Sequence, residues 1–440
     1  MSTPVEPATL PDRLANFTTR SATLAVIGLG RAGLPLAVAF AEAGFTVIGI
    51  DVDATRVAAI QEGRSPLTTL ADARLQPLIA AGRLAATTDY AAVATCDAAI
   101  ICVPTPLNKT RDPDVRQVLA AGEMIARHMR PGLLVVLEST TPPGTTEELL
   151  LPILAHAPAF GGAGVVGEDF FLAYAPERLD PGRAEWTIAT TPRVLGGVTP
   201  GCRQMATALF SQIVHQVVPV SSPTAAEMTK VFENTFRAVN IALANEMTML
   251  CDRLGMDVRE VLDAAATKPY GFMRFAPGPG TGGDPMTLDD PRLTWKVESQ
   301  HKRARFIQLA GKVNRDMPRY WVEKVQDALN QAGKALRGSQ VLVLGVAYKR
   351  DTDDVRESAA LDVIDLLLQK GAVVGYHDPH VASFTHAGTD FHSTPDLAAA
   401  LYAADCVLIV TDHGAYDWPN IAQTARLLVD TRSVLAAQPA

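Results

Sequence analysis

The string Gly28-Leu29-Gly30-Arg31-Ala32-Gly33 narrows the possible folds of this chain more than any other feature. It follows the apolar run 24–27 directly and opens a helical stretch. At this spacing the first glycine allows a tight turn. The second lets backbone approach a pyrophosphate, and the third lets the helix pack closely. The backbone N–H groups around Arg31 and Ala32 then form a helix N-terminus, which stabilises negative charge. Asp51 ends the next apolar run. A carboxylate there accepts from a ribose 2′-hydroxyl and repels a 2′-phosphate, so the expected cofactor is NAD rather than NADP. Arg56 argues the other way, because an arginine can hold that phosphate. The plainer reading of the string alone is a glycine-rich turn in an α/β protein.

The rest of the chain repeats the alternation of short apolar runs and helical stretches. Runs at 47–50, 98–103 and 133–137 extend the first set, and runs at 341–344, 373–376, 406–410 and 427–429 form a second. Strands separated by helices imply parallel sheets built from βαβ units. Between the two sets, Ser222-Pro223 supplies a cap and a preorganised first helical residue. No Gly or Pro then occurs until Gly255. The expected fold is therefore α/β: two doubly wound Rossmann-like domains joined by a long central helix. The boundaries read as a loose N-terminal arm over 1–20, a dinucleotide-binding domain over 21–220, a helical spine and glycine-rich loop over 221–335, and a second Rossmann-like domain over 336–440. Two further helical segments are expected between the loop-rich region 267–294 and the second domain.

Composition closes off several classes of function. A net charge of −8 disfavours a nucleic-acid partner or an anionic membrane. No apolar run reaches the ~20 residues that span a bilayer, and the N-terminus lacks an apolar leader. The expectation is a cytoplasmic protein. The five cysteines are scattered without a C-x-x-C pair, so neither a disulfide framework nor a metal site is expected.

Longer strings carry a specific resemblance. They are Cys102-Val-Pro-Thr-Pro106, Glu138-Ser-Thr-Thr-Pro-Pro-Gly144, Tyr174-Ala-Pro-Glu-Arg178, Lys230 through Asn245-Glu246, and Asp353-Asp-Val-Arg-Glu-Ser358. In this order the chain resembles the UDP-glucose/GDP-mannose dehydrogenase family from about residue 22 to 433. Its strings are most like those of bacterial UDP-N-acetylglucosamine and UDP-N-acetylmannosamine 6-dehydrogenases. The long apolar helix from Ser222 predicts at least a dimer, and the resemblance implies an NAD-dependent oxidoreductase acting on a nucleotide sugar in polysaccharide or specialised metabolite biosynthesis. It makes Lys230 the group that stabilises a developing alkoxide, with Asn234 holding water or sugar one helical turn away. Glu227 joins that face. It gives Thr105 a contact with substrate or an ordered water, sets Glu138 near the nicotinamide, and gives Glu177 proton handling or substrate positioning, with Arg178 beside it. Arg274, Phe275, Gly278, Gly280 and Gly282 become sugar or phosphate contacts, and Lys349 and Arg356 hold the nucleotide. Each has a plainer alternative: a Pro-Thr-Pro turn, a helix cap, surface ion pairs, a solvated helix lysine, a glycine hinge.

One departure from the family bears on mechanism. In the family a double glycine is followed by His and then the nucleophilic Cys. Here Asp284 and Pro285 follow Gly282 and Gly283. Proline has no nucleophile, so a thioester cannot form at this position. Asp289 keeps the spacing of the family's loop aspartate. The expectation is a two-electron alcohol oxidation, or a non-covalent route to the acid with Asp284 or Asp289 as base. The alternatives are a conventional 6-dehydrogenase with a relocated nucleophile, for which Cys102 is the nearest candidate, and a catalytically silent nucleotide-sugar binder.

Overall fold

A computed structural model describes residues 9–67, 69–106, 114–179, 186–281 and 304–435. Among these, the chain divides into two compact units, one running to Glu233 and the other beginning at Asn234.

The first unit is built on an eight-stranded sheet. Its strands are β1 (Thr23–Ile27), β2 (Thr46–Ile50), β3 (Leu84–Thr87), β4 (Ala98–Ile101), β5 (Leu134–Leu137), β6 (Phe171–Tyr174), β7 (Arg193–Gly197) and β8 (Val217–Val220). They lie in the order β3-β2-β1-β4-β5-β6-β7-β8, and only the β6–β7 pair is antiparallel. β4 and β5 are buried at every position, as expected of parallel strands covered on both faces. One face packs on Leu34, Phe40, Leu209 and Phe210, the other on Val118, Ile125, Leu150 and Leu154. The sheet order reverses direction between β1 and β4, so ligands are expected in the crevice beyond their carboxyl ends.

The N-terminal arm is not loose throughout. Residues Leu10–Thr18 form a helix whose start is closed by Thr9 and Asp12, with Pro11 in the first turn. Leu10, Leu14 and Phe17 fall on one face of it. They pack into the core, where Phe17 is fully buried.

The long helix runs Pro223–Leu254, 32 residues, roughly 48 Å at 1.5 Å per residue. The Ser222 hydroxyl accepts from the Ala225 N–H, as the sequence predicts for a capping serine. Of the helical segments expected after the loop, the described residues show one, Arg305–Gln331, with Pro318 buried inside it.

The second unit holds β9 (Gln340–Leu344), β10 (Val373–His377), β13 (Cys406–Ile409) and β14 (Leu428–Asp430) in a parallel sheet of order β10-β9-β13-β14. A separate hairpin pairs β11 (Ser383–His386) with β12 (Thr389–His392). No described helix is long and apolar enough to cross a membrane.

Candidate active site

The glycine turn after β1 has the space a dinucleotide requires. Gly28 sits at φ +91°, and a Cβ there would lie 2.7 Å from the Cys102 carbonyl oxygen. A Cβ at Gly33 would overlap the Gly28 carbonyl. At Gly30 it would meet nothing within 4 Å, so this backbone faces open space. The helix that follows, Gly33–Glu42, has Ala32 at its N-cap and no side-chain cap. Its first N–H groups thus suit a pyrophosphate. Asp51 stands at the end of β2. It accepts from the Leu29 N–H at 2.7 Å, the Asp53 N–H at 2.9 Å and Arg56 at 2.9 Å. Arg56 is thereby neutralised by the acid expected to face the ribose.

Beyond β4 and β5, the Thr105 hydroxyl donates to the Thr140 carbonyl at 2.7 Å. Glu138 is buried and paired with Arg193 at 2.9 Å. Arg193 also donates to the Pro176 carbonyl at 2.7 Å and lies 5.0 Å from the Phe210 ring centre. Burial pushes the Glu138 carboxyl above its usual range, against the pull of Arg193 and with help from the charge of Glu177. Glu177 itself accepts from the Leu179 N–H. Arg178, expected at the substrate, grips Glu233 with two bonds of 3.2 and 2.5 Å and donates to the Pro192 carbonyl at 2.6 Å.

The long helix buries a polar stripe: Glu227, Lys230, Asn234, Asn245 and Thr248. Glu227 accepts from the Gly144 N–H, the Thr146 N–H at 2.9 Å and the Thr146 hydroxyl at 2.6 Å. Lys230 is only 8% exposed, and its ammonium has no hydrogen-bond or ion-pair partner among the described residues. One turn on, the Asn234 side-chain oxygen accepts from Arg237 at 2.9 Å, while its buried amide nitrogen has no partner among the described residues. The open capacity at these two positions is donor capacity, which suits an oxygen gaining negative charge.

The glycine-rich segment is rooted in the second unit. The Asn245 side chain accepts from the Gly278 N–H at 2.9 Å and donates to Asn314 at 3.0 Å. Gly278 abuts Arg432, and Gly280 abuts the Ala359 methyl. Arg274 pairs with Asp263 at 2.6 Å, and Phe275 packs edge-on against Phe236. Arg356 pairs with the buried Asp354 at 2.7 Å, and Lys349 is half-buried with its carbonyl accepting from Thr352. Gly282, Asp284, Pro285 and Asp289 lie outside the described residues. Asp351, His380 and His413 gather within 4.8 Å. However, His413 Nδ1 already accepts from the Asp351 N–H, and Arg350 pairs with Asp351.

All five cysteines are free and buried. Burial pushes the Cys102 thiol well up, and Glu138 beside it adds to the rise. Burial likewise raises Cys96 to about 11 and Cys406 to about 12.

Sequence reasoning missed Arg193, Glu233 and Arg432. A glutamate three residues after Lys230 reads locally as its helical partner, and no short-range pattern points to Arg178.

A glycine cradle for a pyrophosphate, an acid at the second strand and a donor-lined helix define an NAD-dependent dehydrogenase with two Rossmann-like lobes. Comparison with known proteins gives its family. The UDP-glucose/GDP-mannose dehydrogenase family matches over its NAD binding domain at residues 22–214, its central domain at 224–316 and its UDP binding domain at 342–437. The chain belongs to this family and is an NAD-dependent nucleotide-sugar dehydrogenase. It is 34% identical over 424 residues to a UDP-N-acetyl-D-mannosamine dehydrogenase of Pyrococcus horikoshii, covering 94% of this chain and 96% of that one. It is 34% identical over 422 residues to an NDP-N-acetyl-D-galactosaminuronic acid dehydrogenase of Ralstonia nicotianae, covering 94% and 97%. The solved structure of the Pyrococcus horikoshii UDP-D-ManNAc dehydrogenase superposes with a TM-score of 0.83 at 33% identity, covering 95% and 97%.

Proposed function

We propose that this protein oxidises an alcohol carbon of a UDP-sugar by two electrons and does not pass through a thioester. NAD, held by the Gly28–Gly33 turn and Asp51, supplies the hydride acceptor. The carbinol carbon loses a hydride and its hydroxyl a proton, giving a carbonyl, NADH and H⁺. Lys230 faces the oxygen as charge builds on it, and Asn234 offers its unpartnered N–H to the same sugar or to a water. Glu177 and Thr105 border the cofactor side. Arg274, Phe275, Gly278, Gly280, Lys349 and Arg356 are the residues proposed to hold sugar and nucleotide.

The observation that carries the two-electron reading is the state of the cysteines. Every thiol in the chain is buried, and the resemblance sets Pro285 against the family's nucleophile. Cys102, the nearest candidate, is held protonated by burial beside Glu138, and a thiol attacks as its thiolate. The second reading, which the relatives named as nucleotide-sugar dehydrogenases support equally, is a conventional 6-dehydrogenase with a relocated nucleophile that reaches the acid. NADH stoichiometry separates the two. One NADH per sugar with an aldehyde or ketone product is expected, and two NADH with an acid product would overturn the first reading. A sugar–cysteine adduct in intact-protein mass spectrometry would favour a relocated nucleophile.

The protein is also proposed to be a homodimer or a higher homo-oligomer. The long helix turns Met228, Phe232, Phe236, Leu243, Leu250 and Leu254 outward at helical spacing, with Phe232 64% and Leu254 71% exposed. A second copy of the same helix would cover such a stripe. Light scattering is expected to give at least twice the chain mass. A monomer at micromolar concentration would refute the assembly.

A further inference from the structure

Lys230 has a glutamate three residues away on each side, Glu227 and Glu233. Helical neighbours at this spacing attract when oppositely charged. Neither glutamate pairs with Lys230. Glu227 is taken by two backbone N–H groups and a hydroxyl from the Gly144–Thr146 turn after β5. One turn earlier, Thr224 donates to Glu147 of the same segment at 2.6 Å. Glu233 is taken by both arms of Arg178, and Arg178 is itself held by the Pro192 carbonyl. A buried ammonium without a counter-charge is costly, and this helix has two carboxylates within reach that would relieve the cost. Both are tied elsewhere.

We propose that Arg178 and the Gly144–Thr146 turn are positioning groups that hold Glu233 and Glu227 off Lys230, so that its ammonium stays free for the substrate oxygen. An ion pair formed beforehand would have to break as the alkoxide develops. An ammonium with its carboxylates withheld is already arranged for that charge. Arg178 thus acts through Glu233, without a contact of its own to the sugar. This rests on the role proposed above for Lys230.

The test is a rescue experiment on the full-length protein with NAD and UDP-N-acetylmannosamine. Lys230→Ala is expected to lower kcat by about 10² to 10³-fold, as for loss of one preorganised group at a developing oxyanion. Arg178→Ala, which releases Glu233 onto Lys230, is expected to lower kcat by about 10- to 100-fold with KM changed less than about threefold. Adding Glu233→Gln to Arg178→Ala removes the competing charge and is expected to restore most of the lost kcat. Arg178→Lys keeps a cation for Glu233 and is expected to lose less than Arg178→Ala. It also carries the test if the alanine variant does not fold.

Three results would overturn the proposal: a kcat loss in Arg178→Ala that Glu233→Gln leaves in place, a rise in KM as the main effect, or a loss that simply follows the melting temperature. The second would make Arg178 a substrate contact. An undiminished kcat in Lys230→Ala would instead sink the role of Lys230 itself. The two failures are therefore told apart.

Discussion

The turn after β1 and the turn after β9 are built on one plan and put to different uses. Gly28 donates to the Ile50 carbonyl at 2.8 Å, and Gly345 donates to the His377 carbonyl at 2.9 Å. The next residue in each, Leu29 or Val346, donates to the acid ending the neighbouring strand, Asp51 or Asp378, at 2.7 Å in both. Gly28 and Gly345 have φ of +91° and +78°, and a side chain at either would press on a carbonyl of the adjoining strand's exit. The plans then part. The first lobe has Gly30 facing open space and an uncapped helix at Gly33. The second has Ala347 at the equivalent position, and its helix starts only at Ala359, capped by Ser358. Asp51 spends one oxygen on Arg56, a partner one-third exposed. Asp378 accepts from four backbone N–H groups and from His413, and both side chains of that pair are sealed from solvent. The frame is shared, but the first lobe's acid keeps a partner open to solvent and the second lobe's does not.

The largest expected difference is in stability. Asp378→Ala strips the acceptor from three buried N–H groups, one part-buried N–H and a buried histidine, and should cost on the order of 3–5 kcal/mol. Asp51→Ala should cost far less. Denaturant unfolding of the two variants checks this, and equal losses would break the contrast. Next comes cofactor binding. Gly30→Ala should weaken NAD about 10- to 100-fold with little change in melting temperature, because a methyl there enters the space left for the pyrophosphate. Ala347→Gly should leave NAD affinity unchanged. In the same titration Asp51→Ala should narrow the preference for NAD over NADP, since the group that repels a 2′-phosphate is gone and Arg56 is released. Tighter NADP binding by the unmodified protein would contradict this reading.

The smallest effect is in pH. Burial raises the Asp378 carboxyl, but the bond and charge of His413 and the backbone N–H groups outweigh it and hold the group below its usual range. Its contribution is therefore present above the unfolded-state pKa of about 3.9 and is lost as pH falls through the folded value. Glu138 and Glu227 are raised, chiefly by burial. Between their unfolded and folded values the native state holds more protons, so their effect on stability improves as pH falls. Hydrogen exchange followed by region from about pH 5 to about pH 2 should show the second lobe losing protection first. The opposite order would reverse the assignment.

The contrast also explains what could be read from the sequence. β1, β2, β9 and β10 were visible as apolar runs, the long helix from Ser222 to Gly255, and the first turn from its three glycines, because each signal is local. The second lobe has one glycine of that motif, so its turn gave no such signal. The ties that decide availability are remote. Glu138 meets Arg193 and Arg178 meets Glu233, each 55 residues apart, and Asp378 meets His413 at a separation of 35. Whether a carboxylate is open or occupied is a property of packing, and no periodicity within a window of a few turns encodes it.

Asn245 has a wider consequence. It fastens Gly278 to the long helix, and Gly280 is pressed against Ala359. The stretch of chain entering the glycine-rich segment is thus anchored. Asp284 and Pro285 follow this anchored root in the sequence. Evolution can exchange the residues that follow while the anchor at Gly278 and Gly280 and the scaffold behind it stay as they are. A graft of a relative's residues into the same span would then inherit a ready-made mount.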